Sequence, residues 1–120
     1  MSILSPSFRS EEFACRCGCG LDNIHPDLVI ALQELRDHLG VAIHVVSGCR
    51  CAEHNERVNG EDDSYHIPDQ GCKAADIVTR KHTPSELKKE ALKIPAFLNG
   101  GIGLYPSFLH VDVRKFKARW

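Results

Sequence analysis

Ser64-Tyr65-His66-Ile67-Pro68-Asp69-Gln70-Gly71-Cys72-Lys73-Ala74-Ala75-Asp76-Ile77 sets an imidazole and a carboxylate on either side of a Pro/Gly loop. His66 ends a polar run. Asp76 sits inside the small, apolar Ala74-Ala75-Asp76-Ile77-Val78, which reads as a buried strand, so a loop carries one group and a strand the other. A third nitrogen or oxygen from elsewhere in the chain would complete a three-ligand zinc site whose fourth position stays open to water. His110, in Phe108-Leu109-His110-Val111-Asp112-Val113, is the best-placed residue for that role.

The segment around His110 reads as a strand with two different faces. Leu109, Val111 and Val113 point one way, whereas His110, Asp112 and Arg114 point the other. Three ionisable groups in a row gain nothing from packing, so the first face is core and the second is chemistry. Residues 100–105 supply a partner strand, joined to 108–113 through Pro106-Ser107 as a hairpin. Thr83-Pro84-Ser85-Glu86 is a capping box, predicting a helix over residues 84–94 with Leu87, Ala91 and Ile94 inward and Pro95 as its stop.

Further upstream, Leu28, Leu32, Leu35 and Leu39 recur at helical spacing between Pro26 and Gly40. Val41-Ala42-Ile43-His44-Val45-Val46 is a short β-branched strand halted by Ser47-Gly48. A brief helix over 52–58 is closed by Asn59-Gly60, and the acidic loop Glu61-Asp62-Asp63-Ser64 then delivers His66. Residues 1–24 lack periodicity and read as an irregular, Cys-rich arm pinned by Phe8 and Phe13. At 120 residues the chain accommodates one domain, residues 1–120, with a real core. The class expected is α+β: a single compact domain with a small antiparallel sheet and flanking helices.

Charge narrows the partners. Fifteen basic and sixteen acidic residues leave a net charge of −1, so no global field points to nucleic acid or an anionic membrane. Met1-Ser2-Ile3-Leu4-Ser5-Pro6 has no basic start and no sustained apolar run, which is not the pattern of a signal peptide. Cytoplasmic synthesis and a monomer are the expectations. The six cysteines fall as Cys15, Cys17 and Cys19, then Cys49 and Cys51, then Cys72. Reduced thiols or metal binding are favoured over a disulfide framework. Two readings stay open: free, partly buried thiols, or a second zinc site in which Cys15, Cys17 and Cys19 face Cys49 and Cys51.

Several separated motifs occur in one order: Ser47-Gly48-Cys49-Arg50-Cys51 with Glu53-His54-Asn55, Ser64-x-His66, Ala74-Ala75-Asp76-Ile77, Gly101-Ile102-Gly103-x-Tyr105, and Phe108-x-His110-Val111-Asp112-Val113-Arg114. Together they resemble the zinc D-alanyl-D-alanine carboxypeptidases of the M15 peptidase family, especially its small phage-associated branch. The likeness runs from about Phe8 to Trp120. It implies the α+β fold shared with the hedgehog signalling domain and a Zn2+ ion held by His66, Asp76 and His110. Arg50 would orient the substrate or steady the developing oxyanion, with Tyr105 and Ser64 as further substrate contacts.

The resemblance also implies a reaction, attack of a zinc-bound water on a peptide carbonyl in a peptidoglycan stem peptide or cross-link. That partner lies in the cell wall, reached after release from the cell or as part of a virion, without nucleic acid or membrane. Three departures from the family pattern stand out. The interval from His66 to Asp76 is long, the extra material lying in residues 67–72, which either displaces His66 or offers Cys72 as a competing soft ligand. Cys49 stands where Tyr is customary, and Ser107 stands where several relatives carry an acid. Asp112 is then the nearest acid on the His110 face, as general base or as the acceptor that orients a ligand histidine, with His54 as the weaker base. The basic closing run, residues 114–120, reads as a solvated tail. The alternative in another functional class is a non-catalytic, zinc-containing phage structural or cell-wall-binding module of the same fold.

Overall fold

Two neighbouring strands carry the alternation that organises the fold. In the computed structural model, which describes residues 3–58, 60–61 and 64–120, β4 (Ala74–Val78) and β6 (Leu109–Asp112) pair antiparallel. Met1 and Ser2, the helix-closing Asn59, and Asp62 and Asp63 of the acidic loop lie outside the described residues. The β4–β6 register sets Asp76 opposite His110 and Ala75 opposite Val111. β3 (His44–Ser47) joins the far side of β4, and β5 (Gly101–Leu104) joins β6 as the expected hairpin.

The sheet is mixed rather than wholly antiparallel, because the closing run is not a solvated tail. Ala118–Arg119 forms β7, parallel to β5, and completes the order β3-β4-β6-β5-β7. The open edge of β5 supplies the reason, since an edge strand presents unpaired backbone groups. Trp120 donates to Ile102 O at 3.1 Å, Leu104 donates to Trp120 O at 2.8 Å, and the Arg119 guanidinium donates to Gly100 O at 2.8 Å.

Val45, Ala75, Ile77, Ile102, Leu109 and Val111 alternate onto one face of the sheet and share a single buried core with the helices. α1 (Pro26–Leu39) contributes Leu28, Leu32 and Leu35, each fully buried, at roughly 2 kcal/mol or more apiece. α3 (Pro84–Ala91) has the capping box in both directions: Thr83 Oγ1 accepts from Glu86 N at 3.1 Å, and Glu86 Oε1 accepts from Thr83 N at 2.8 Å. α3 ends at Ala91 rather than Ile94. Pro95 both stops it and opens the one-turn α4 (Pro95–Leu98), where its fixed φ suits a first helical position. α2 (Ala52–Arg57) is the short helix that follows Arg50.

The N-terminal arm is more regular than its composition implied. β1 (Ile3–Ser5) and β2 (Phe8–Arg9) form a small antiparallel hairpin, and Ser10–Phe13 makes a 3₁₀ turn. Phe8 and Phe13 are buried in the core with ring centroids 5.9 Å apart, which pins the arm. Among the described residues, no helix is long and apolar enough to cross a membrane. The architecture is α+β, and the sheet face turned away from the helices carries Asp76, His110 and Asp112.

Candidate metal centre

Strand register alone brings two of the expected ligands together. Facing each other across β4 and β6, Asp76 and His110 place Oδ1 and Nδ1 3.1 Å apart. His66 enters from the preceding loop and sets its Nε2 3.3 Å from the same Asp76 oxygen. All three residues are buried, and their donor atoms lie within 4.8 Å of one another.

The long His66-to-Asp76 interval displaces nothing. Pro68–Gln70 coils into a 3₁₀ turn, and the loop is tied at its neck by Lys73 N to Tyr65 O at 2.7 Å and Cys72 N to Ile67 O at 3.1 Å. Arg50 N donates to His66 O at 2.9 Å, which fixes the histidine from the other side. Cys72 is buried with its thiol hydrogen-bonded to Cys49, so it does not compete at the centre.

Proton accounting shows that the three residues fit a cation. His66 Nδ1 is 2.6 Å from Gly48 O, which can only accept, so that nitrogen carries the proton and Nε2 presents a lone pair. His110 Nε2 is 2.8 Å from Asp112 Oδ2, and the same reasoning leaves Nδ1 with its lone pair. Two lone pairs and a carboxylate oxygen thus converge, an arrangement that repels itself until a cation sits among them. Ligands about 2.0 Å from a tetrahedral zinc stand about 3.3 Å from each other, close to the spacings seen here.

The electrostatics follow from these contacts. When no cation is bound, a proton on the inward nitrogen of either imidazole takes its place: burial opposes ionisation of Asp76, yet hydrogen bonds from the protonated His110 and His66 outweigh it and hold the carboxyl far below the usual range. Burial pushes the His66 pKa down. It also works against His110, where hydrogen bonds to Asp112 and Asp76 prevail and raise the pKa. Burial lowers the pKa of Arg50, opposed by the neighbouring Asp76, 3.5 Å from Nη2.

A cleft of about 540 Å³ opens over the centre, with Arg50, Ser64 and Tyr105 on its walls. Arg50 Nη1 donates to Asn55 Oδ1 at 3.1 Å, while Nε is a buried nitrogen with no hydrogen-bond partner among the described residues. Ser64 Oγ is occupied as the acceptor for His66 N at 3.2 Å. The Tyr105 hydroxyl accepts from Trp120 Nε1 at 2.9 Å and keeps its own proton to donate. His54 lies on α2, with its backbone N–H on Cys51 Sγ, and Ser107 is exposed on the hairpin turn.

Asp112 is enclosed. Oδ2 takes His110 Nε2 and Arg114 Nη2, the latter at 2.7 Å, and Oδ1 takes Gly101 N and Arg114 Nε, each at 2.9 Å. Burial opposes its ionisation, but His110 and Arg114 hold its carboxyl far below the usual range. Of the two roles open to Asp112, this geometry favours orienting His110 over exchanging a proton with a reacting group in the cleft.

Among the cleft residues to which the sequence gives no site role, four carry polar or charged groups: Glu61, Tyr65, Arg114 and Trp120. Arg114 lies over the Tyr65 ring at 4.3 Å and the Trp120 ring at 5.0 Å, and Trp120 sits 4.9 Å from the His110 ring. Gly101-x-Gly103 carried the signal. On β5 these glycines face Asp112 and His110, and a Cβ would come within 2.3 Å of Asp112 Oδ2 at Gly101 and 2.4 Å of Trp120 Nε1 at Gly103. Two glycines on one strand face mark a face that something large must cover.

The family model described as peptidase M15 matches residues 6–112. The chain belongs to the M15 peptidases. A search of curated proteins returned no match. M15 peptidases are zinc-dependent, and His66, Asp76 and His110 form the group through which this member can hold the ion.

Proposed function

We propose that this M15 peptidase hydrolyses a peptide bond of peptidoglycan, as a D,D-carboxypeptidase or an endopeptidase. The observation that carries the reading is a buried His-Asp-His group at the foot of a cleft, beside the half-buried Arg50, whose Nε has no hydrogen-bond partner among the described residues. Zinc at such a group supplies Lewis acidity and lowers the pKa of a bound water to about 7.

The remaining work falls to the chain's own groups. Gly48 O and Asp112 hold the two imidazoles in the tautomers that aim Nε2 of His66 and Nδ1 of His110 inward. Arg50, on the cleft wall, offers guanidinium N–H donors to a substrate oxygen, and a terminal carboxylate is the best complement to a guanidinium. Tyr105, its oxygen engaged by Trp120, donates to the scissile carbonyl or a neighbouring one. Among the described residues Glu61 is the carboxylate on the cleft wall outside the metal group, and we assign it the proton transfer that Asp112 is too enclosed to perform. A phage lysis or tail module is the setting we favour, with the wall reached after release or from a virion.

The test is release of D-alanine and of new amino termini from purified peptidoglycan by zinc-loaded protein. Wild type should release one or the other, and His110→Ala neither. Fully zinc-loaded wild type that cuts no muropeptide would overturn the reading in favour of a non-catalytic wall-binding module, to which the exposed Ser107 in place of an acid already lends weight.

A further inference from the structure

On the N-terminal arm a second set of ligands gathers, and the peptidase chemistry makes no use of it. The Sγ atoms of Cys15, Cys17, Cys19 and Cys51 all lie within 4.8 Å of one another. Cys15 to Cys17 measures 3.4 Å, Cys17 to Cys51 3.6 Å and Cys15 to Cys51 3.8 Å. Disulfide sulfurs are about 2.05 Å apart, so these are not bonded pairs. Four thiolates about 2.3 Å from one tetrahedral zinc stand about 3.8 Å from each other.

The backbone is shaped to this end. Cys15, Cys17 and Cys19 alternate with Arg16, Gly18 and Gly20, and both glycines have left-handed backbones, φ +86° and +88°. Those conformations curl the loop so that three alternate side chains meet at one point rather than splaying. Gly18 N to Cys15 O at 3.2 Å and Cys15 N to Leu21 O at 2.7 Å hold the curl. Backbone donors also face the sulfurs: Cys51 N reaches Cys15 Sγ and His54 N reaches Cys51 Sγ, each at 3.4 Å, the arrangement that supports a thiolate rather than a thiol.

We propose that Cys15, Cys17, Cys19 and Cys51 bind a second, structural zinc ion, distinct from the one at His66, Asp76 and His110. Four soft sulfurs in a tetrahedral closed set select zinc over the oxygen-loving cations. Cys49, which the sequence placed in such a site, is excluded because it is buried and hydrogen-bonded to Cys72 instead. The consequence concerns substrate binding. Cys51 follows Arg50 directly and caps α2, so the ion ties the arm to the loop that presents the guanidinium.

The test is metal content together with thiol reactivity, on full-length protein isolated under reducing conditions. His110→Ala should retain one zinc per chain, and on cobalt exchange should show intense thiolate-to-metal charge-transfer absorption. A thiol reagent should find four fewer reactive cysteines in this zinc-loaded variant than after a strong chelator. Cys17→Ser should lose that ion while its His-Asp-His centre still binds one without the sulfur signature. Cobalt-loaded His110→Ala without charge-transfer absorption overturns the proposal, as does equal thiol reactivity with and without chelator. Neither result touches the peptidase reading, which depends on the other ion.

Discussion

The two ligand clusters are built in opposite ways. His66, Asp76 and His110 are assembled by the fold: two sit on hydrogen-bonded strands in register, and the third rides on a loop closed at its neck. Cys15, Cys17, Cys19 and Cys51 are assembled on loops, with Cys17 and Cys51 half-exposed and Cys19 exposed. Forming the sheet forms the first cluster with or without its ion, whereas the second rests on a few hydrogen bonds of an exposed loop, to which its ion would add. Where ligands are prearranged, metal-binding energy is spent on affinity. Where they are not, part of it becomes folding energy.

The largest effect should come from breaking the prearranged cluster. His110→Ala removes one of three ligands and should cost about 10³-fold or more in turnover, several kcal/mol of transition-state stabilisation, while the melting temperature of the zinc-free protein changes little. Residual activity above a tenth of wild type would show that the centre does not depend on its strand-borne histidine. Next comes Asp112→Asn, which keeps the shape but loses the charge holding His110 Nε2–H. Zinc affinity should fall about 10- to 100-fold, read by chelator competition. The companion variant Glu61→Gln should lower turnover with zinc affinity unchanged. If the two phenotypes are exchanged, the roles assigned to these acids are exchanged as well.

Legibility in the sequence follows the same division. Strand and helix periodicity exposed the sheet centre, the core leucines and the strand-borne Asp76 and His110, since burial on one face and chemistry on the other leave a period-two trace at His110 and Asp112, whereas His66 stood out only as a loop imidazole close in sequence to Asp76. The closing run carried no such trace. Lys115, Lys117 and Arg119 look solvated, and only the backbone pairing of β7 with β5 shows that Trp120 is brought back over His110. The cysteine cluster was half legible. Composition grouped the right loops, but choosing Cys51 over Cys49 depends on which way two residues of one turn point, and spacing does not encode that. Asp112 was found for its position on a face, while its enclosure by Arg114 and Gly101 is a packing fact.

A smaller effect tests whether the aromatic cover belongs to the prearranged cluster. At Gly103→Ala the new methyl meets Trp120 Nε1 and the indole ring, so Trp120 must leave its place and the Tyr105 hydroxyl loses its donor. KM should rise several-fold with kcat falling less, because a wall of the cleft is disturbed and the ligands are not. Trp120→Ala should reproduce the kinetic change without the clash. A kcat loss as deep as that of His110→Ala would mean that the cover sets the geometry of the centre itself.

The smallest effect is the control on both clusters. Glu86→Ala breaks the α3 capping box on the helix-covered side of the sheet, and it should lower stability modestly while leaving both metal counts and turnover unchanged. Its pH dependence has a defined sign. The Thr83 backbone N–H holds the Glu86 carboxyl below its usual range, so its contribution is complete above the ordinary carboxylate pKa and fades as the pH falls through the lowered value. The gap in melting temperature between wild type and Glu86→Ala should therefore be widest near neutrality and close in acid. If the variant also sheds the thiolate-bound zinc, the arm responds to global stability, and its cluster is not the independent, ion-held unit set against the sheet-borne one.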